Sequence, residues 1–294
     1  MLALADLFVE VYVRIDDAIV SRTVPIPPRP GPTPACSDAE VLTIAVVRHL
    51  LARRSERRFL AEVGREWRHY FPRVPAQSEF NRRVRWLWGA FELLRQHLAA
   101  TCVADSWQPI DTSTLPVKHP SRHRGPEPQW DGPNDLQARF GRDAAHGEWC
   151  FGYRLAVRTD LGRRLVRAWS IVPAAVDERT VAEDLLDGVR DLDLLLDRGF
   201  VGRDWIARCA ERRIRVVLAP SRSERPTLPV GVRKAIAALR NRVETTLGEI
   251  TDIDHLGLAR HGAHTFWGLL TRTAATLLAH TLLRLALVLS TSRA

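Results

Sequence analysis

108-QPIDTSTLPV-117 is a short apolar run that reaches a carboxylate, Asp111, at the point where the chain turns polar. The run predicts a strand over 107–110 that ends at Asp111. Acids at strand ends commonly do no more than cap a turn, so the meaning of Asp111 depends on partners elsewhere in the chain. Two candidates lie downstream: Asp197 in DLLLDRGF and Glu244 in LRNRVETTLGE.

Strands and helices alternate beyond this run. The predicted elements are strands 150–160 and 163–173, helix 178–189 capped by Asp177, strand 191–197, helix 205–213, strand 214–220 and helix 231–250. The residues 119–147 have no periodicity and predict a long mobile loop, of the kind that is usually functional or disordered. This order predicts an α/β, ribonuclease H-like domain with a mixed five-stranded sheet flanked by helices. Asp111 would lie on its first strand, Asp197 at the end of the fourth, and Glu244 on the adjacent helix.

The residues before this domain predict an all-helical N-terminal module. A helix over 2–20 is followed by the proline-rich stretch Pro25–Pro34, and Ser37 with Glu40 forms a capping box that starts the next helix. Further helical periodicity runs to residue 98, with one helix opened by Ser78. We therefore predict three regions: 1–34, a helix and linker; 35–105, a DNA-binding helical module; and 106–294, the catalytic domain with a C-terminal helix.

The chain is basic, with a net charge of +9, and its charge is concentrated in two segments. Residues 203–247 carry eleven Arg and Lys against four Asp and Glu, and 35–105 carry twelve against eight. Such patches are typical of contact with a polyanion. Clustered arginines near a helix start, Arg82, Arg83 and Arg85, form a candidate DNA-contacting surface, for which a solvated helix face is the equal alternative.

The cysteines and apolar runs indicate a cytoplasmic protein that does not enter a membrane. The four cysteines have no paired spacing, which argues against a zinc site or a disulfide framework. The run 266–290 is the most apolar in the chain, but Arg272, His280 and Arg284 interrupt it. It therefore predicts a buried helix and not a bilayer span.

Three separated acids are the donor set that Mg²⁺ prefers, because this hard cation takes carboxylate oxygens, water and phosphate. Phosphodiester chemistry commonly uses two such ions, with Mn²⁺ as a substitute. We predict that Asp111 bridges them, that Asp197 completes one site and that Glu244 completes the other. Arg240, one helical turn before Glu244, is expected to hold a phosphate, and Arg198 and Arg242 are expected to contact DNA beside the acids.

Several phrases resemble the DDE transposases of bacterial insertion sequences. They are SDAEVLTIAVV, FNRRVRWLW, PIDTSTLPV, FGYRLAVRTDLGRR, AAVDERTV, LLLDRGFVG and RNRVET, in family order between Ser37 and Thr246, and insertion-sequence family 982 is the most similar. The resemblance implies DNA cleavage and strand transfer on double-stranded DNA by a bacterial, nucleoid-associated oligomer, with Asp111, Asp197 and Glu244 as metal ligands.

Two positions depart from that family's pattern. Related enzymes often have a tyrosine three residues before the arginine and a lysine seven residues after the glutamate, where this chain has Ala237 and Thr251. An inactive, transposase-derived DNA-binding protein that acts as a repressor is therefore an alternative. A ribonuclease H or structure-specific nuclease is a third hypothesis.

Overall fold

The computed structural model describes residues 4–118, 130, 132–143, 147–197, 200, 202–218 and 229–291. By their contacts the residues group into two compact units. The helical unit comprises Met1–Thr101, Asp252–Ala263 and Trp267–Ala294, and the sheet unit comprises Cys102–Thr251 and His264–Phe266. The domain bounds expected from the sequence (1–34, 35–105 and 106–294) stay a prediction.

In chain order, the elements are α1 (Leu4–Val20), α2 (Asp38–Leu50), α3 (Glu56–Glu66), α4 (Gln77–Trp86), α5 (Trp88–Ala100), β1 (Trp107–Lys118), β2 (Arg139–Asp143), β3 (Glu148–Thr159), β4 (Val166–Pro173), α6 (Glu178–Leu185), β5 (Leu192–Leu196), α7 (Arg203–Glu211), β6 (Ile214–Leu218), α8 (Val230–Thr251) and α9 (Phe266–Thr291).

The helical unit forms where periodicity and capping predict it, with one exception. The side chain of Ser37 accepts a hydrogen bond from the amide of Glu40, whose carboxylate accepts one from the amide of Ser37, so the predicted capping box starts α2. The single helix predicted after Ser78 is wrong. Two helices take its place. α4 begins at Gln77, and it is separated from α5 at Leu87, which has non-helical dihedrals (φ −90°, ψ 10°) and is fully buried.

The sheet is mixed and has the strand order β2-β3-β1-β5-β6. β1 pairs antiparallel with β3 and parallel with β5, and β5 pairs parallel with β6. β4 pairs with residues 153–159 of β3, while β2 pairs with residues 148–152. β2 and β4 therefore lie on the same side of β3, each beside a different part of it. For this reason the sheet is five strands wide. This arrangement, preceded by helices, is the predicted ribonuclease H-like α/β fold.

Two local predictions in this sheet were wrong. β1 does not end at Asp111 but continues to Lys118, because its pairing with β3 persists after its pairing with β5 stops at Pro109. Residues 139–143, expected to be loop, form β2, which the irregular sequence concealed because a strand held by a neighbour needs no clear apolar alternation. The remaining described part of that segment includes a short 3₁₀ turn over Asn134–Leu136.

One face of the sheet is covered by α6 and α7. Ile110 of β1 packs in a buried cluster with Val181 and Leu185 of α6 and with Trp205 and Cys209 of α7. The helix α8 also packs against β1 but contributes no described residue to this cluster, so it lies on the other face. The sheet is therefore covered on both sides, as in a three-layer α/β domain.

A buried ion pair joins the β3–β4 hairpin to the start of β1. Asp160, whose side chain is fully buried, accepts hydrogen bonds from Nε and Nη2 of Arg167 and from the amide of Asp105. Arg167 also donates to the carbonyl of Cys102. The pair therefore fixes the segment that leads into β1.

No helix in the described part of the chain combines the length and apolar character required for a membrane span.

We expect Asp160→Asn to destabilise the sheet unit by about 3–5 kcal/mol, because it leaves Arg167 charged and nearly buried without its counter-ion. Urea unfolding combined with hydrogen exchange of the β4 amides measures this loss. The control is Asp191→Asn, since Asp191 pairs with Arg213 at an exposed site and its loss should cost less than about 1 kcal/mol. Equal effects of the two substitutions would contradict the prediction.

Candidate active site

The register of the two central strands brings two of the predicted acids to one level. β1 and β5 are parallel and pair Trp107 with Asp193 and Pro109 with Leu195. The same register, continued past the end of β5, puts Asp111 level with Asp197, which directly follows the last residue of β5. The carboxyl ends of strands are the edge at which open α/β sheets bind ligands.

Glu244 approaches from the helix on the other face of the sheet. Side chains alternate along a strand, and the neighbours of Asp111 face α6: Ile110 packs in its cluster, and the hydroxyl of Thr112 donates to Glu178 at 3.0 Å. Asp111 therefore points to the face covered by α8, the helix that carries Glu244. Asp111 is half-buried, whereas Asp197 and Glu244 are exposed.

The pKa of Asp111 reflects its burial and the acids that lie near it. The pKa of its carboxyl group is raised to about 7, chiefly by burial; repulsion from Glu178, Asp197 and Glu244 contributes to this rise, and the hydrogen bond from the amide of Thr112 opposes it. In the described part of the chain, Asp111 has no basic partner. Among the described residues, its carboxylate is thus held near other acids with no compensating cation.

A fourth acid, Glu178, lies in this cluster and was missed by the sequence prediction. Glu178 is the first residue of α6, after the predicted cap Asp177, which accepts from the amide of Arg179. Its carboxylate accepts hydrogen bonds from Thr112 and from the buried Arg154 of β3. The phrase AAVDERTV contains Glu178, but a glutamate in the first turn of a helix is common. Only the pairing of β1 with β3 brings Arg154 and Thr112 to it.

The carboxylates near Asp111 fit a divalent cation in their chemistry, because hard cations prefer carboxylate oxygens and this cluster has excess negative charge. As the side chains stand, no three His, Cys, Asp or Glu residues within the described ranges are close enough together to hold one ion. A metal would therefore have to draw the exposed side chains of Asp197 and Glu244 towards Asp111.

The predicted DNA-contacting arginines lie in different environments. Arg82 and Arg85 are exposed on α4, whereas Arg83 is only 4% exposed and pairs with Asp38 at 2.7 Å. Arg242 is exposed on α8. Arg198 and the side chain of Arg240 lie outside the described residues.

Comparison with known proteins gives one match to a protein family. Residues 108–282, more than half of the chain, match the family described as "Transposase DDE domain". The matched region begins in β1 and ends in α9, and it contains Asp111, Asp197 and Glu244. No curated protein matches the sequence.

Asp111→Asn is expected to raise the free energy of unfolding of the metal-free protein at pH 8, by up to roughly 4 kcal/mol. The pKa of Asp111 is raised in the folded state, so the protonated carboxyl stabilises the fold fully below about pH 4. This contribution is lost as the pH rises towards 7, and the gain from asparagine should shrink between pH 8 and pH 5. Urea unfolding in EDTA at both pH values measures it.

The matched control is Asp193→Asn, on the strand beside β1. Asp193 pairs with Arg215 at 2.6 Å, so its substitution should give no gain in stability at either pH. An Asp111→Asn protein no more stable than the wild type at pH 8 would show that Asp111 is not held among uncompensated charges.

Proposed function

The chain belongs to the transposase DDE domain family, and on that premise we propose that it is a DNA transposase. The proposed reaction is divalent-metal-dependent cleavage at the ends of an insertion sequence, followed by transfer of the freed strand into target DNA. The substrates are terminal inverted repeats and target DNA, both double-stranded.

One observation supports this proposal most strongly. The pKa of Asp111 is raised by burial and by neighbouring acids, at the sheet edge where β5 ends. Asp111 has no basic partner within the described residues, and a carboxylate held near other acids destabilises the protein unless a cation or a proton binds there. Functional sites are where such perturbed groups concentrate, and the family match covers the same residues.

The acids are proposed to have different roles. Asp111 lies on a strand paired on both sides near its start, and the amide of Thr112 orients its carboxylate at 2.8 Å, so it suits the fixed, shared ligand. Asp197 and Glu244 are exposed and are the adjustable ligands. Glu178 is paired with Arg154, and it is therefore proposed to position the β1 backbone and not to bind metal.

Two Mg²⁺ ions, for which Mn²⁺ would substitute, would be held by Asp111, Asp197 and Glu244 and would stabilise charge on the attacking and leaving oxygens. In the first step, a water oxygen forms a bond to phosphorus while the bond to the 3′ oxygen breaks, which leaves a 3′-hydroxyl and a 5′-phosphate. In the second step, a direct transesterification, the oxygen of that hydroxyl would form a bond to a target phosphorus while the bond from that phosphorus to the target's own 3′ oxygen breaks. The proton of the attacking hydroxyl ends on the leaving 3′ oxygen. Neither step requires a covalent bond between protein and DNA.

Other parts of the proposal rest on the sequence. Arg82, Arg85 and Arg242 are exposed and are proposed to contact DNA phosphates, as are Arg198 and Arg240. Assignment to insertion-sequence family 982, a homo-oligomer that brings two ends together, and a cytoplasmic location near the nucleoid remain predictions.

An inactive repressor is the second candidate, and one observation favours it. Thr251 stands where related enzymes often have a lysine, and it is 7% exposed with its hydroxyl donating to the carbonyl of Leu247. It therefore makes no substitute phosphate contact. Specific DNA binding with no divalent-dependent cleavage would support the repressor.

The proposal predicts that Asp111→Asn, Asp197→Asn and Glu244→Gln each reduce metal-dependent nicking by about 10³-fold or more, because each loses a ligand worth several kcal/mol of charge stabilisation. Nicking of a labelled duplex that contains an element end, with Mg²⁺ or Mn²⁺, measures the rate. Binding of the same duplex in EDTA should persist in all three variants.

Asp204→Asn is the control, since Asp204 is an exposed acid of α7, on the face of the sheet opposite α8. It should nick at nearly the wild-type rate. Full cleavage by Asp111→Asn would refute the metal role, and cutting of an RNA–DNA hybrid without sequence preference would instead favour a ribonuclease H.

A further inference from the structure

The helical unit contains a large cavity that the proposed active site does not use. It has a volume of about 1070 Å³ and is lined by residues of the proline-rich stretch, by α4, by the start of α5 and by the start of α9. This volume is at the upper end of the range for ligand sites, about 300–1,000 Å³. The cavity therefore has room for more than a single small molecule.

Indole rings line this cavity. Trp86 ends α4 and Trp88 begins α5, and the buried Leu87 between them anchors the break in the helix. Trp86, Trp88 and Trp267 are 47%, 38% and 50% exposed. No aromatic ring in the described part of the chain stacks on Trp86 or Trp88. Large aromatic side chains usually bury their faces, so exposed rings around one cavity indicate a ligand with flat apolar faces.

Arginines surround the same rings. Arg82 and Arg85 line the cavity, are exposed, and have no ion-pair partner among the residues that the structure describes. Glu79 is the one acid on the lining, so the wall complements an anion.

Within the described residues, Arg83 is the one arginine of α4 on this lining that the protein itself holds. It is 4% exposed and lines the cavity, with Nη2 bonded to Asp38 at 2.7 Å. Its Nε and Nη1 are buried and have no hydrogen-bond acceptor within the described residues. Because these atoms are buried in the protein and not exposed to the cavity, the phosphate contacts fall to Arg82 and Arg85.

We propose that this tryptophan–arginine cavity binds an unpaired segment of DNA, with bases stacked on Trp86 and Trp88 and phosphates held by Arg82 and Arg85. Base–aromatic stacking together with a positive wall is how proteins hold single strands. In a duplex the faces of the bases cover one another, so the indoles could not stack there. The inference deepens the proposed function and rests on it: strand cleavage at an element end supplies nucleotides that can leave the duplex.

The test measures binding of a fluorescently labelled oligothymidine to the full chain in EDTA, so that cleavage plays no part. We expect Trp86→Ala and Trp88→Ala each to weaken binding roughly 5- to 100-fold, the effect of losing one stacked base, and Trp86→Phe to restore part of it. Arg82→Gln and Arg85→Gln should each reduce the slope of log affinity against log salt by about 0.7.

Trp149→Ala is the matched control, because Trp149 is 63% exposed on β3 of the sheet unit, and it should leave binding unchanged. The proposal is overturned if the wild-type chain does not bind oligothymidine, or if the alanine variants bind it like the control. If the protein nicks DNA but fails this test, only the proposed role of the cavity is rejected. If it binds oligothymidine but never nicks DNA, the proposed transposase function is rejected.

Discussion

The parallel register of β1 and β5 is the constraint on which the candidate site depends. It puts Asp111 and Asp197 at one level, and the antiparallel partner β3 holds β1 in place where the parallel pairing stops. Because β3 holds β1 beyond the end of the parallel pairing, the backbone of Asp111 stays beside its acidic neighbours. The resulting repulsion is relieved by a proton or a cation, so the strand geometry dictates the ionic chemistry of the site.

Features that arise from local rules could be predicted from the sequence. The hairpin β3–β4, the caps Ser37 and Asp177, the strand that ends before Asp197 and the long helix with Glu244 are all encoded within short windows of periodicity and capping. Their order along the chain then leads to the ribonuclease H-like fold. The three acids were chosen because each lies on an element that this fold brings to one edge of the sheet, although their role stays a prediction.

Other features depend on contacts between distant residues, and no local pattern predicts them. Arg83 looked like its neighbours Arg82 and Arg85, but Asp38, 45 residues away, holds it in the interior. In the sequence Glu178 is an ordinary first-turn glutamate, and only the structure gives it hydrogen bonds from Arg154 and Thr112. β2 forms a strand because it pairs antiparallel with the edge of β3. In each case the partner, and not the residue itself, determines the outcome.

The division of the chain into units has a consequence for biosynthesis. The helical unit includes α9 from Trp267 onwards, in the last helix described, while the sheet unit is encoded between α5 and Trp267. On the ribosome the sheet unit is therefore fully translated before the helical unit can acquire its final segment, and domains generally fold as units during synthesis. A nascent chain interrupted before α9 would carry all three acids without Trp267, so a truncated product separates the chemistry from the complete helical scaffold.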